Sequence, residues 1–229
     1  MIEKIRAYAI GVFIFVSGII MIPVMMIWKK KNRVFRKFWA KLQVSILGMD
    51  LVEHGTLDND ADMLVMNHQS WLDIILVESI GTRDLCWVAK KEIGDIFFFG
   101  NILHAPKMIM VERESKKSLI KLLQDAKDRL ENGRQLAIFP EGTRSDGTKM
   151  RKFKNGTKVI AEKYNLKVQG IVLVGTYDIF NSKELKQKPG RVDIIYLPTV
   201  EVEKGTDWYE KLELQMNETF NEYLAKRQK

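Results

Sequence analysis

Cysteine and histidine are scarce in this chain of 229 residues. The one cysteine, Cys86, excludes an internal disulfide framework and a cysteine-clustered zinc site, and is compatible with a reducing compartment. The three histidines, His54, His68 and His104, lie too far apart in sequence to form a local metal-binding motif. The chain also has no Walker loop, no dinucleotide-binding glycine pattern and no HExxH helix. We therefore expect no metal and no bound cofactor.

Acidic residues are missing from the stretch that carries most of the positive charge. The formal net charge is +8, from 37 Lys and Arg against 29 Asp and Glu. Seven of the basic residues fall between Lys29 and Lys41, which leaves 30 basic against 29 acidic residues in the rest of the chain. Because the rest is nearly neutral, we expect no general binding to nucleic acid.

Charged residues are also absent from residues 7–28. A helix of that length is roughly 33 Å long, close to the hydrocarbon thickness of a bilayer. The basic cluster that follows predicts, by the positive-inside rule, that the rest of the chain is cytoplasmic. A cleaved signal peptide is the competing interpretation, which the length of the run and the lack of a small-residue cleavage site disfavour. Pro23 leaves open whether the helix spans the membrane or lies in one leaflet.

Residues 33–47 place apolar side chains at roughly helical spacing, with basic side chains between them. This pattern predicts an amphipathic helix at the membrane interface. The alternative is a helix that packs on the globular domain. We therefore divide the chain into a membrane-anchoring two-helix segment, residues 1–48, and an α/β domain, residues 49–229.

From residue 60, short apolar runs alternate with helical patterns, which is typical of an α/β sheet with helices packed against it. Buried strands are predicted at residues 63–66, 85–89, 108–111, 135–139, 168–174 and 192–197. Helices are predicted at residues 71–80, 115–132, from near Gly156, and at about 207–225.

The stretch NHQSWLD, residues 67–73, joins a predicted strand to a predicted helix. Ser70 and Asp73 have the spacing of a capping box, which gives the aspartate a structural role. A neutral imidazole at His68 can also take a proton from an alcohol at physiological pH, while a nearby carboxylate holds the useful tautomer. The two roles are compatible, because Ser70 can begin the helix while Asp73 faces His68.

The stretch FPEGTRS, residues 139–145, follows another apolar strand. Pro140 and Gly142 suit a turn whose backbone amides point at an anion, and Arg144 supplies a planar guanidinium for phosphate. The basic run that follows, residues 149–154, is either a solvated loop or an extension of this anion site.

These two stretches together resemble the glycerolipid acyltransferases of the lysophosphatidic acid (1-acylglycerol-3-phosphate) acyltransferase type. The HX4D motif of that family matches His68 to Asp73, and its FPEGTRS motif matches residues 139–145 without substitution. The stretch that ends at Arg113 and the run FKNGT are similar to two further blocks, so the resemblance covers about residues 60–180. It implies an α/β fold with a mixed central sheet flanked by helices.

The resemblance also implies the chemistry. His68 would act as general base on an acceptor hydroxyl and Asp73 would orient it, and the acceptor oxygen would attack an acyl thioester directly, without an acyl-enzyme. Binding or positioning of the phosphate-bearing acceptor would fall to Arg113, Glu141, Gly142, Thr143, Arg144 and Lys154. For Glu141 the alternative is a salt bridge that only makes the turn rigid.

The implied substrates are lysophosphatidic acid and a thioester of coenzyme A or acyl-carrier protein, and the implied product is phosphatidic acid. The reaction would take place at the cytoplasmic face of a membrane, which we expect to be a bacterial inner membrane. The same chemistry on another acceptor, such as a lysophospholipid, glycerol 3-phosphate or a hydroxy-acyl aminolipid, stays open. A lipid hydrolase is less well supported because the chain has no GxSxG elbow. A catalytically silent membrane module would leave both motifs without an explanation.

Overall fold

The computed structural model of this protein describes residues 2–112, 116–181 and 184–227, and only the backbone of Lys116 and Lys117. Two long helices come first, α1 (Ile2–Ile27) and α2 (Asn32–Leu47), with a 3₁₀ turn at Lys29–Lys31 between them. The strands that follow are β1 (Met49–His54), β2 (Met63–Met66), β3 (Leu85–Lys90), β4 (Ile109–Val111), β5 (Gln135–Ile138), β6 (Lys167–Val174), β7 (Phe180–Asn181), β8 (Lys186–Gln187) and β9 (Gly190–Glu201). The other helices are α3 (Leu72–Ile80), α4 (Lys91–Gly94), α5 (Asn101–His104), α6 (Lys116–Glu131), α7 (Asn155–Tyr164), α8 (Thr176–Ile179) and α9 (Trp208–Arg227).

Seven of the described strands form one mixed sheet in the order β1-β9-β6-β2-β5-β3-β4. Neighbouring strands are parallel except for β6 and β9, which are antiparallel. The predicted mixed α/β sheet flanked by helices is therefore confirmed. The division of the chain at residue 48 stays a prediction.

The central strands explain why two distant motifs meet. Every residue of β2 and β5 is buried, as expected for parallel strands that are covered on both faces. Val65 of β2 pairs with Ile138 of β5, so the two strands end at the same level. The residues that follow them, 67–68 and 139–141, therefore leave the sheet on the same side, at the carboxyl ends of the strands. Ligand and catalytic sites of open α/β sheets lie beyond these carboxyl ends.

Some elements were not predicted from the sequence. β1 lies at the edge of the sheet and is only partly buried, so its apolar pattern is weak. β7 and β8 are two residues each and carry too few side chains for any period to show. α1 begins at Ile2, earlier than the apolar run, because charged residues in its first turns are compatible with a helix.

α1 and α2 both pack on the domain. α2 buries Arg36, Ala40, Gln43 and Leu47, whereas Val34 and Phe38 are 64% and 67% exposed. One side of α2 thus packs on the protein, as the alternative interpretation expected, and the opposite side presents apolar groups to the surroundings. A position at the membrane interface stays a prediction.

Ion pairs of Arg36 join the buried side of α2 to the rest of the protein. The Arg36 guanidinium donates to the carboxylates of Glu78 and Asp84 and, at 3.4 Å, to the carbonyl of Leu85. Trp87 Nε1 donates to the same Glu78 carboxylate at 2.8 Å. Burial raises the pKa of Glu78, and the adjacent Arg36 opposes that shift. Arg36 therefore stabilises a carboxylate that would otherwise be costly to bury.

We expect Arg36→Ala to lower the free energy of unfolding by about 3–5 kcal/mol, because it leaves Glu78 buried without its cation. The loss should be smaller at pH 5 than at pH 8, since the raised pKa of Glu78 lets a proton replace the missing charge as the pH falls. Chemical denaturation in detergent micelles measures both. The matched control is Lys41→Ala on the exposed side of α2, for which we expect a change within about 0.5 kcal/mol. Equal effects of the two substitutions would contradict the assignment.

Candidate active site

His68 lies in the loop that follows β2, and its side chain is 14% exposed. Its ring stacks on the ring of Phe139, with centroids 3.9 Å apart. Nδ1 lies 2.8 Å from Asp73 Oδ2. Because an ionised carboxylate only accepts hydrogen bonds, Nδ1 carries the proton and Nε2 keeps its lone pair in the neutral ring. Nε2 is therefore the atom available to a substrate hydroxyl.

Asp73 is fully buried in the first turn of α3. Besides the His68 ring, its Oδ2 accepts from the backbone amides of Gln69 at 2.7 Å and Ser70 at 2.8 Å. The bond from the Ser70 amide is the one expected of a capping box, but the Ser70 hydroxyl accepts from the Leu72 amide rather than from Asp73. A single carboxylate oxygen thus caps the backbone amides before the helix and orients the imidazole of His68.

Thr176 is a site residue that the sequence did not reveal. It is fully buried at the start of α8, directly after β6, and its hydroxyl donates to the other oxygen of Asp73, Oδ1. The only sequence signal for it was a hydroxyl residue just beyond a buried strand. That signal is too common to single out a residue before the neighbours of the strand are known.

Glu141 belongs to the FPEGTRS turn, and it is 1% exposed. Its Oε1 accepts from the His68 amide at 2.6 Å and its Oε2 accepts from the Arg151 amide at 2.6 Å. Burial raises its pKa, and these two amides oppose the shift. The Ser145 amide also donates to the His68 carbonyl at 2.7 Å. The geometry favours a positioning role for Glu141 over direct contact with a substrate, and its part in substrate binding stays a prediction.

Gly142 follows at the top of the turn, with a φ of 68° that side chains other than glycine rarely adopt. A Cβ at this position would lie 3.2–3.3 Å from the end of the Lys154 side chain. Lys154 thus lies beside the turn, where its amide donates to the carbonyl of Pro140. Arg113, the remaining predicted substrate-binding residue, lies outside the described residues.

A cavity of about 640 Å³ begins at His68 and the turn. Gly142, Thr143 and Arg144 line it together with His68, and most of the remaining wall is apolar or aromatic. That wall is made by residues of α1, α2, α3, β3 and the segment after β3, among them Met21, Met25, Trp39, Ile75, Trp87 and Leu103. A larger groove of about 1050 Å³ lies beside the end of α9, but His68 does not line it. The smaller cavity is therefore the candidate site.

The cavity combines three chemical properties. His68 and Asp73 form a base with its orienting group, Arg144 is a cation on the wall that His68 also lines, and most of the remaining wall is apolar. This combination suits a substrate that joins a hydroxyl group, a negative charge and a long apolar chain.

Comparison with known proteins agrees with this chemistry. The family model described as Acyltransferase matches residues 52–174. A 1-acyl-sn-glycerol-3-phosphate acyltransferase of Helicobacter pylori is 42% identical over 178 residues, which is 77% of this chain and 75% of that protein. A lyso-ornithine lipid O-acyltransferase of Rhizobium meliloti is 30% identical over 155 residues, 66% of this chain and 52% of that protein. The crystal structure of the 1-acyl-sn-glycerophosphate acyltransferase PlsC from Thermotoga maritima shares the fold, with a TM-score of 0.74, 22% identity and 97% coverage of both chains.

We expect Thr176→Val to lower the turnover number of acyl transfer roughly tenfold, because Asp73 loses a charge-assisted hydrogen bond that holds it in place. Steady-state assays of the purified variants measure the effect. Thr176→Ser keeps the hydroxyl and should restore the turnover number of the natural protein. A Ser variant as impaired as the Val variant would show that packing, and not the hydroxyl, matters.

Proposed function

The chain belongs to the acyltransferase family, and from this premise we propose that it is a membrane-bound 1-acylglycerol-3-phosphate O-acyltransferase. It transfers a fatty acyl group from a thioester to the free sn-2 hydroxyl of 1-acylglycerol 3-phosphate and produces phosphatidic acid. The observation that carries the proposal is His68, hydrogen-bonded to Asp73, on the wall of a largely apolar cavity that Arg144 also lines.

In the proposed mechanism, His68 Nε2 removes the proton from the acceptor hydroxyl as its oxygen attacks the thioester carbonyl. The negative charge of Asp73 stabilises the imidazolium that forms, and general base catalysis of this kind contributes roughly 10²- to 10⁴-fold in rate. The tetrahedral intermediate then collapses, the carbon–sulfur bond breaks, and the imidazolium returns its proton to the thiolate. The ester and the free thiol are the products, and no residue of the protein is acylated.

The acceptor phosphate binds at the mouth of the cavity in this proposal. Arg144 is exposed there and offers a planar guanidinium, and Thr143 stands next to it on the cavity wall. We assign Arg113 and Lys154 to the same phosphate and Glu141 to holding the turn. The apolar part of the cavity receives an acyl chain. The thioester of coenzyme A or acyl-carrier protein is already an activated donor, so we propose no metal and no bound cofactor.

We further propose that α1 lies in one leaflet at the cytoplasmic face. By length and composition it could cross a bilayer, since it has 26 residues and contains an 18-residue stretch with a mean hydropathy of 2.7. However, it packs on the protein along most of its length: Ala7 and Ile10 are buried near one end, and Ile22 and Met25 near the other. In the middle, the Ser17 hydroxyl accepts from Trp39 Nε1 at 3.0 Å and from Gln43 Nε2 at 3.3 Å. A helix held along its side in this way could span the bilayer only if the polar domain entered the bilayer with it.

The opposite side of α1 suits contact with lipid. Large apolar side chains along that side are exposed at helical spacing, at Ile5, Tyr8, Val12, Val16 and Ile20. The basic residues of 29–41 other than the buried Arg36 add attraction to anionic headgroups. The same residues could attract an acidic acyl-carrier protein, so carrier binding should weaken when they are neutralised.

The relative that acylates lyso-ornithine lipid favours one alternative, the same transfer to a hydroxy-acyl aminolipid. We expect the purified protein to acylate 1-acylglycerol 3-phosphate faster than lyso-ornithine lipid, other lysophospholipids or glycerol 3-phosphate, as judged by mass spectrometry of the products. His68→Ala should lower the rate by at least about 10²-fold with every acceptor, because the general base is lost. His54→Ala is the matched control, since His54 lies outside the candidate cavity. Full activity in His68→Ala would refute the mechanism. Faster acylation of another acceptor would show that 1-acylglycerol 3-phosphate is not the preferred substrate.

The position of α1 can be tested with single cysteines at Lys4 and Lys30, one at each end of the helix. Cys86 is buried and should not react in the folded protein. If α1 lies in one leaflet, a membrane-impermeant maleimide added to the cytoplasmic side of sealed vesicles should label both positions, and also the domain control Lys211→Cys. A spanning helix would leave the cysteine at position 4 protected until the vesicles are permeabilised.

A further inference from the structure

The segment between β3 and β4 presents large apolar side chains to the outside of the protein. Phe97 is 94% exposed and Ile96 is 52% exposed. Neither of them lines the candidate cavity. Exposed apolar residues that cluster together mark a surface for interaction with protein, membrane or ligand.

The backbone holds these side chains in a tight turn. The Gly100 amide donates to the carbonyl of Ile96 at 2.8 Å, and the Phe99 amide donates to the carbonyl of Phe97 at 2.7 Å. Between them, Phe98 has a φ of 62°, which is unfavourable for a bulky residue. A strained conformation of this kind persists where the surroundings require it, commonly at functional segments. The outward position of Phe97 is therefore part of a defined turn.

The turn is continuous with the apolar side of α1. The ring of Phe99 contacts the ring of Phe15 of α1, with centroids 5.2 Å apart. Phe15 is itself 55% exposed, so apolar surface extends from the helix to the turn. If α1 lies in a leaflet, Ile96 and Phe97 lie beside the same leaflet.

The same segment also forms part of the cavity wall. Ile93 and Ile102, which flank the turn, line the cavity and are 43% and 41% exposed. Gly18 and Met21 of α1 line the cavity as well. The rim of the cavity between α1 and this segment is therefore apolar on its inner and outer sides.

We propose that residues 93–102 form a second membrane contact, in which Ile96 and Phe97 enter the acyl-chain region of the leaflet that holds α1. The cavity then opens directly into that leaflet between α1 and the turn, and the acyl chain of a lipid substrate reaches His68 without crossing water. Lys91 and Asp95, both exposed, flank the turn and keep the insertion at the boundary between headgroups and chains. This proposal rests on the membrane position proposed above for α1.

The test uses an environment-sensitive fluorescent label on single cysteines, which is selective because Cys86 is buried. Phe97→Cys probes the turn, and Phe38→Cys probes the exposed side of α2, a part of the proposed anchor. Leu214→Cys is the matched control, since Leu214 is an apolar residue of α9 with 60% exposure. The labelled proteins are mixed with vesicles of phosphatidylethanolamine and phosphatidylglycerol that contain lipid spin-labelled on the acyl chain.

We expect the label at position 97 to shift to shorter wavelength and to be quenched as strongly as the label at position 38, with no change at position 214. A label at 97 that behaves like the label at 214, while position 38 is quenched, overturns the second contact and leaves the anchor intact. No quenching at either 97 or 38 overturns both the second contact and the anchor, without bearing on the chemistry of His68.

A substitution provides an independent measure of the same contact. Phe97→Asp should weaken binding of the protein to these vesicles roughly tenfold, since an apolar side chain that enters the leaflet is replaced by a charge. Leu214→Asp, an equivalent change on α9, should leave vesicle binding as it is. Equal binding of the two variants in a flotation assay would also overturn the proposal.

Discussion

The site depends on one buried carboxylate. Asp73 has no contact with solvent, and its two oxygens accept from the His68 ring, two backbone amides and the Thr176 hydroxyl. Each donor offsets part of the cost of burying a negative charge, so the carboxylate needs this loop in this conformation. The imidazole is oriented because it is one of those donors. Helix capping and orientation of the base are therefore the same physical interaction.

A second buried carboxylate, Glu141, extends this arrangement to the neighbouring strand. By accepting from the His68 and Arg151 amides, it ties the loop after β2 to the turn after β5. The parallel register of these strands makes that contact possible, because both loops leave the sheet at one edge. The base and the proposed phosphate site are thus held at a fixed separation by a group that does not itself need to touch substrate.

Part of α2 reverses the usual distribution of polarity. α2 buries Arg36 and Gln43 against the protein and exposes Val34 and Phe38. This is unfavourable in water and favourable at a membrane, where the exposed groups meet hydrocarbon and the buried charge is paired. α1 contributes to the wall of the cavity as well as to the apolar exterior. The proposed anchor is therefore also part of the proposed substrate site.

The sequence by itself determined the local features: the apolar run, the central buried strands, and a histidine and an aspartate five positions apart. These depend on periodicity and short spacing, which a sequence displays directly. It did not reveal β1, whose half-exposed edge has a weak pattern, or the packing of α1 along the domain. Only the tertiary structure decided that the Thr176 hydroxyl reaches Asp73 across 103 residues and that Glu141 supports His68 across 73. Those contacts depend on strand order and register, which arise when the whole sheet assembles.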